Sequence, residues 1–414
     1  MRMIRSVSTC LALLVGVAAG ARADVVAVPA GIGNLQAAID AAADGDVLLL
    51  AGGFHGIDVV IDGKALTLAT DDVVQAAMAQ LTVRNLPAGS RVLLRGLLVT
   101  GTSLGAQAGL TVEQCADSVW IEGCTLRGDD GAFSGDQGGA GLEVREAHAV
   151  MVSRSTLAGG PGGAEHCTHF GCTPAGLGGP GLAVHDGLAA LHDCDVTAGQ
   201  GGDTEGTDDP VAGGGAGVRV SGDGFVLLSG SRTTGGAGGD SLVSTPEGIG
   251  GGDALVVEDP GGHVWRLDSE LVPGAGCFGT PDGVAVVAPG GALIHFPGEA
   301  RDIAVPSPLR EGESSTLTVT GAPGDLAGYF WGFTPDTVPL LDNKGVFALG
   351  APFQGVFVLG VNATGTWELP FTVPDLPLGF EHLTFLVQVV AQDPTDLGIR
   401  VGGVTALTLL DDTL

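Results

Sequence analysis

Residues 141–160, GLEVREAHAVMVSRSTLAGG, alternate apolar and polar positions for a few residues, break at a small turn, and alternate again. Alternation of period two puts successive side chains on opposite faces of a strand. The phrase recurs: GLTVEQCADSVWIEGCTLRG begins at Gly109 and GLAVHDGLAALHDCDVTAGQ at Gly181. Aligned copies begin their first strand at Leu81, Leu110, Leu142, Leu182, Val218, Leu255 and Val284, at spacings of 29, 32, 40, 36, 37 and 29 residues. A helical solenoid needs amphipathic runs of roughly ten residues in every unit. These units hold two or three much shorter β-type runs instead, and their length varies in glycine-rich filler. The pattern predicts an all-β, right-handed parallel β-helix, a solenoid with variable loops on one edge.

The alternation assigns the faces. Two inward columns run Leu81, Leu110, Leu142, Leu182, Val218, Leu255, Val284 and Val83, Val112, Val144, Val184, Val220, Val257, Val286. The next strand adds Leu94, Ile121, Val152, Leu191 and Leu228. A two-residue bend precedes a small inward column of Leu97, Cys124, Ser155, Cys194 and Ser231. One coil cannot bury its own ladder, but stacked coils can. Each buried side chain of this size contributes roughly 1.5–3 kcal/mol.

The segment GNLQAAIDAAADGDVLLLAGGFHGIDVVIDGKALTLA resembles the opening of pectin-lyase-like β-helix proteins. The resemblance covers about residues 24–301. It implies a short N-terminal capping helix, here from about Leu35 to Ala43, that closes the open end of the solenoid. An uncapped end exposes unpaired backbone. The resemblance carries little about activity, because one fold hosts many functions. After Arg301 the character changes. The proline-rich AVPSPLREGES suggests a linker at 302–306, and the strand-like runs that follow predict a small antiparallel β-sandwich, immunoglobulin-like, over 307–414. That region resembles a C-terminal module of secreted proteins from environmental bacteria. Its LAGYFWGF stretch is expected in the core.

Composition adds a compartment. MRMIRSVSTCLALLVGVAAGARA at residues 1–23 has two early arginines, an apolar run and a small-residue site at Ala21–Ala23, the pattern of a secretory signal peptide. The apolar run is about 11 residues, short of the roughly 20 of a membrane span, and no transmembrane segment is expected. The protein is expected outside the cell or on its surface, with the periplasm as an alternative. Removing Arg2, Arg5 and Arg22 leaves 14 basic residues against 47 acidic ones, a net charge of −33. Such a field repels nucleic acid and attracts divalent cations.

Six cysteines remain after Cys10 leaves with the signal. Cys124 and Cys194 are two rungs apart, roughly 10 Å, which is beyond the reach of a disulfide and predicts two buried free thiols. Cys115 and Cys277 are expected in turns. EHCTHFGC offers two readings: a local Cys167–Cys172 disulfide, or a metal site drawing on Glu165, His166, Cys167, His169 and Cys172.

In the family that the chain resembles, substrate lies along the outward face of one strand column. Here that column is Arg84, Glu113, Arg145, His185, Ser221 and Glu258, beside Thr82, Thr111, Glu143, Ala183, Arg219 and Val256. A uronate lyase needs Ca²⁺ to neutralise the substrate acid and an Arg or Lys base, for which Arg145 or Arg219 would serve, with His185 and Glu113 as neighbours. The acidic loops supply candidate calcium ligands: Asp129, Asp130, Asp203, Asp208, Asp209 and Asp240. The plainer reading of Arg84–Glu113–Arg145 is an alternating-charge ladder. Glycine-rich acidic loops are expected to be flexible turns. Trp120 is the one obvious outward aromatic of the helix, which counts against a sugar platform. The sequence therefore favours a non-catalytic structural, adhesive or glycan-binding protein. The alternatives are a calcium-dependent polysaccharide lyase and a calcium-dependent binding module.

Overall fold

The computed structural model describes residues 23–414 apart from 71–73, 103–104, 133–134, 169–170, 204–211, 241–249, 278–280, 343, 358–359 and 396. Of the segment expected as a signal peptide, residues 1–22 lie outside the described residues. The chain is a right-handed parallel β-helix followed by small antiparallel sheets. Three parallel sheets of ten, eight and eight described strands wrap one apolar core. The ten-stranded sheet runs from Val25–Val28 to Leu293–Phe296. One eight-stranded sheet runs from Asp58–Asp62 to Val286–Val287, and the other from Gly53–Phe54 to Glu270–Val272. Helix α1 (Asn34–Ala41) closes the N-terminal end with Leu35 and Ile39 buried beneath it. Lys64 Nζ donates to the carbonyls of Ile39, Asp40 and Ala42 at 2.8, 2.8 and 2.9 Å, supplying donors to carbonyls at the helix C-terminus.

The inward columns stack in the expected register from Leu81 through Leu255. The last rung differs. Leu255 pairs with Val286, and Val284 is 49 % exposed. Val284 and Ala285 are used in crossing back to the sheet, where their carbonyls accept from Ala254 and Leu255. Each coil turns two corners on a single left-handed residue. Asn85, Gln114, Glu146, Asp186 and Gly222 form one such column, and Gly96, Gly123, Arg154, Asp193, Gly230 and Asp268 the other.

The glycine-rich filler is packed where it is described, whereas loose turns were expected. Its described parts form arms that leave the solenoid and return, packed backbone against backbone. Gly139 donates to the Asp129 carbonyl, Gly160 to Gly139, Gly179 to Gly160, Gly199 to Gly179, Gly215 to Gly199, Gly236 to Gly215, Gly252 to Gly236, Gly274 to Gly252 and Gly283 to Gly274. Outgoing and returning arms alternate along this one file. A Cβ on Gly160 would stand 1.8 Å from the Asp129 oxygen, and one on Gly199 1.8 Å from the Gly160 oxygen. None of these glycines has a left-handed φ. Close approach, not conformation, demands glycine here.

The residues expected as a linker form part of the second unit instead. Asp302–Ala304 pairs antiparallel with Ser314–Thr320, which pairs in turn with Thr366–Thr372. Arg301, 2 % exposed, holds the Asp325 carboxylate at 2.8 and 3.0 Å. A five-stranded sheet containing His382–Gln392 and Ile399–Leu410 faces this layer. Tyr329 and Trp331 of LAGYFWGF pack into the core between them, as expected.

The other face of the five-stranded sheet lies on the solenoid. The outward column of the ten-stranded sheet, Leu93, Trp120, Met151, Ala190, Leu227 and Trp265, is buried with Val346, Ala348, Leu386, Val404 and Ala406. Trp120 does point outward, as its parity requires, but it is 3 % exposed beneath the sandwich. That face is closed to ligands. No helix among the described residues is long and apolar enough to cross a membrane.

Candidate functional site

With the ten-stranded sheet covered, the outer faces of the two eight-stranded sheets remain, and the one from Asp58–Asp62 to Val286–Val287 is here called the groove sheet. Its strands Leu142–Arg145, Leu182–His185 and Val218–Ser221 stack in register, so Arg145, His185 and Ser221 stand in one column, with Glu143, Ala183 and Arg219 in the next. A cleft of about 370 Å³ opens over them. Glu143, Arg145, His185, Arg219, Ser221 and Glu258 line one wall, and Gln137, Gly138 and Pro180 of the arms line the other. Of the four expected catalytic residues, the structure brings Arg145, His185 and Arg219 together. Glu113 lies one rung below Arg145, outside the cleft lining.

The polar contacts run differently from the expected ladder. Arg145 folds back on Glu143 of its own strand, at 2.9 Å from Nε and 2.5 Å from Nη2. Residues two apart on a strand share a face, so this pair needs no neighbouring rung. Arg84 reaches down to Asp62, at 3.0 Å from Nε and 2.9 Å from Nη2. Hydrogen bonds from Asn85 and Arg84 hold the Asp62 carboxyl below its usual range despite some desolvation. Glu113 therefore bridges neither arginine. These pairs are half-exposed and are worth about 0–1 kcal/mol each.

Arg219 and His185 meet groups from neighbouring strands and corners. The Arg219 Nε is buried and has no hydrogen-bond partner, with its nearest carboxylate oxygen, Glu258 Oε1, at 3.5 Å. His185 Nδ1 lies 3.1 Å from the Ser221 hydroxyl, and its Nε2 3.0 Å from Asp186 Oδ2. Asp186 is the left-handed corner residue, φ 50°, and this turn swings its carboxylate back to the ring. Its other oxygen accepts the Asp223 amide at 2.8 Å. The sequence reading passed over Asp186 because it lies next to His185, where strand alternation predicts opposite faces. The left-handed bend cancels that rule.

The expected calcium ligands do not converge among the described residues. Asp129 is 1 % exposed, and its carboxylate accepts from the Thr102 amide, the Thr102 hydroxyl at 2.9 Å and Gln80 Nε2 at 2.9 Å. Asp130 pairs with Arg127 at 2.7 Å. Asp203 Oδ1 accepts the Asp240 amide at 2.9 Å. Asp208 and Asp209 lie outside the described residues. Asp129 and Asp203 thus each close a backbone donor, and Asp130 pairs with a side chain. The described carboxylates close enough to share a cation, Glu311, Asp411 and Asp412, are in the sandwich.

Cys167 and Cys172 are direct partners in an antiparallel ribbon of His166–Thr168 and Gly171–Thr173, while His169 lies outside the described residues. Cys124 and Cys194 are buried free thiols, and burial pushes both up to about 12. Cys115, expected in a turn, is buried in the solenoid core, with its thiol on the Glu113 carbonyl.

No protein-family model and no curated protein matches the chain. Solved structures similar to it include the enzymatically active domain of bacteriophage CBA120 tailspike protein 2, at 10 % identity over 95 % of this chain and 77 % of that chain, with a TM-score of 0.24.

Proposed function

We propose that the protein is exported, loses its signal peptide near Ala23, and binds a polysaccharide in the groove-sheet cleft, outside the cell or at its surface. The cleft itself carries this reading. It presents carboxylate, guanidinium, imidazole and hydroxyl groups on consecutive rungs, with Arg219 Nε held only by a long 3.5 Å ion pair to Glu258. Fixed donors and acceptors at regular spacing suit a hydroxyl-rich chain laid across the rungs. The charged groups of both signs suit such a ligand better than an apolar one. The pairing of Arg145 with Glu143, and the absence of a carboxylate cluster beside it among the described residues, favour binding over calcium-dependent elimination.

Affinity electrophoresis of the mature chain in gels containing neutral and uronate polysaccharides tests this. Retardation by at least one polysaccharide, relieved at least tenfold by Arg219→Ala together with Glu258→Ala, is the expected result. Migration unaffected by every polysaccharide would remove the proposal.

A further inference from the structure

We infer that Ser221, His185 and Asp186 form an acyl-transfer site that removes ester groups from the bound chain. The inference rests on the polysaccharide-binding reading for its substrate, but not for its chemistry. The geometry is that of a nucleophile, a base and an orienting acid, with each neighbour within hydrogen-bond reach of the next. Asp186 Oδ2 at 3.0 Å keeps a proton on His185 Nε2, leaving Nδ1 as the acceptor that faces Ser221 Oγ at 3.1 Å. The Asp223 amide fixes Asp186 from behind. The two ring nitrogens take the opposite roles from those of the serine proteases, but the logic of the triad is unchanged.

Arg219 supplies the remaining part. It stands two residues before Ser221 on the same strand and the same face, and both line the cleft. Its Nε, whose one ion-pair contact is the long 3.5 Å approach to Glu258 Oε1, would turn to the oxygen of an ester carbonyl as charge develops there. Ser221 Oγ attacks the ester carbon while its proton passes to His185 Nδ1. The tetrahedral intermediate collapses, and the sugar oxygen leaves with that proton. Water then gives a proton to His185 and attacks the acyl-serine. Ser221 departs with the proton, releasing a carboxylic acid. Small acyl esters on sugar hydroxyls, acetyl foremost, match a polar cleft of about 370 Å³. The His185 side chain is 54 % exposed, so water screens the Asp186 charge and a modest turnover is expected.

The test uses the mature chain with 4-nitrophenyl acetate, O-acetylated xylan and a fluorophosphonate probe. Acetate release and probe mass on the Ser221 peptide are expected. Both should fall roughly 100-fold or more in Ser221→Ala and His185→Ala. Asp186→Asn should lower kcat with KM held, because Asp186 positions His185 and does not touch the substrate. Melting temperatures within error of the parent would exclude misfolding. Xylan binding without acetate release or labelling overturns this inference and leaves the binding proposal standing. Hydrolysis of 4-nitrophenyl acetate that depends on Ser221, with no polysaccharide bound, keeps the acyl-transfer site and removes the polysaccharide. Hydrolysis unchanged in Ser221→Ala overturns the site.

Discussion

Glu122 Oε1 accepts a hydrogen bond from the Thr405 hydroxyl at 2.6 Å, although the two residues are 283 positions apart. Oε2 accepts the Ala406 amide at 3.1 Å and Arg95 Nη1 at 3.0 Å, and Arg154 closes on Oε1. Arg154 then reaches Asp302 at 3.0 Å and the Ile303 carbonyl at 2.7 Å. One solenoid carboxylate is thus satisfied largely by the sandwich and by two arginines that also bond to it.

Replacing Glu122 by Ala would leave Arg95 and Arg154 buried without their shared acid. Breaking such a site costs about 3–5 kcal/mol. Urea denaturation should show that loss, with Glu122→Gln losing less because it keeps an acceptor for Thr405. Equal stability of Glu122→Ala and the parent would show that the interface does not depend on this group.

His192 makes stability acid-sensitive. It is 1 % exposed, and neither ring nitrogen has a hydrogen-bond partner. Burial and, second, the Arg154 charge lower its pKa from the ordinary 6.5 to about 4. The neutral form is the folded one, so above pH 6.5 this residue adds no pH dependence to stability. As pH falls from 6.5 to 4 the unfolded chain takes up the proton first, and stability declines by about 3 kcal/mol before levelling. His192→Leu should flatten that part of the pH profile of the unfolding free energy. A profile of the same slope in the variant would rule the assignment out.

The glycine arms should behave as core. Gly160→Ala would force a methyl group to 1.8 Å from the Asp129 oxygen, and a destabilisation of about 1–3 kcal/mol, or more, is expected. Gly290→Ala is the matched control, since nothing lies within 4 Å of its Cβ position and its φ is not left-handed. Thermal melting of the two variants separates a packed arm from a loose loop, which would tolerate both.

Asp129 offers a parallel test of the calcium reading. Its carboxylate is held by Thr102 and Gln80. Asp129→Ala should therefore lower the melting temperature equally in Ca²⁺ and in EDTA. A loss confined to Ca²⁺-containing buffer would return this acid to the cation ligands.

Period-two alternation made the solenoid legible, because each inward Leu or Val must stack on its equivalent. The register error at Val284 arose where two residues of a shortened arm look like a strand. Trp120 was assigned the correct face, but whether an outward residue meets solvent or another layer is a tertiary fact. Proline and polar composition describe local chain preference, whereas the pairing of Asp302–Ala304 with Ser314–Thr320 is a contact between separate segments that composition does not declare. Glycine content told of turns, and only the stacked hydrogen bonds distinguish turns from a packed file. The cleft was visible as a column, but the Asp186 contact needed a corner whose left-handed φ no pattern declares.

The two outward columns differ in character. On the groove sheet the column is charged, and on the ten-stranded sheet it is Leu93, Trp120, Met151, Ala190, Leu227 and Trp265 on six consecutive rungs. Trp265 meets Phe225 and Phe296 edge-on at 4.8 and 5.6 Å, extending the apolar face. Contiguous apolar surface of this extent drives association in water. The sandwich is therefore half of a shared core, not a tethered module, and residues 24–301 alone should not behave as a clean monomer. Sedimentation velocity should show the truncated chain associating, and a hydrophobic dye should brighten on it far more than on the full chain. Trp120→Arg in the full chain should reproduce part of that dye signal, since a guanidinium at a site 3 % exposed would have to pry the layers apart or stay unpaired. A monomeric truncated chain that binds no dye would mean that the solenoid rearranges to cover the face by itself.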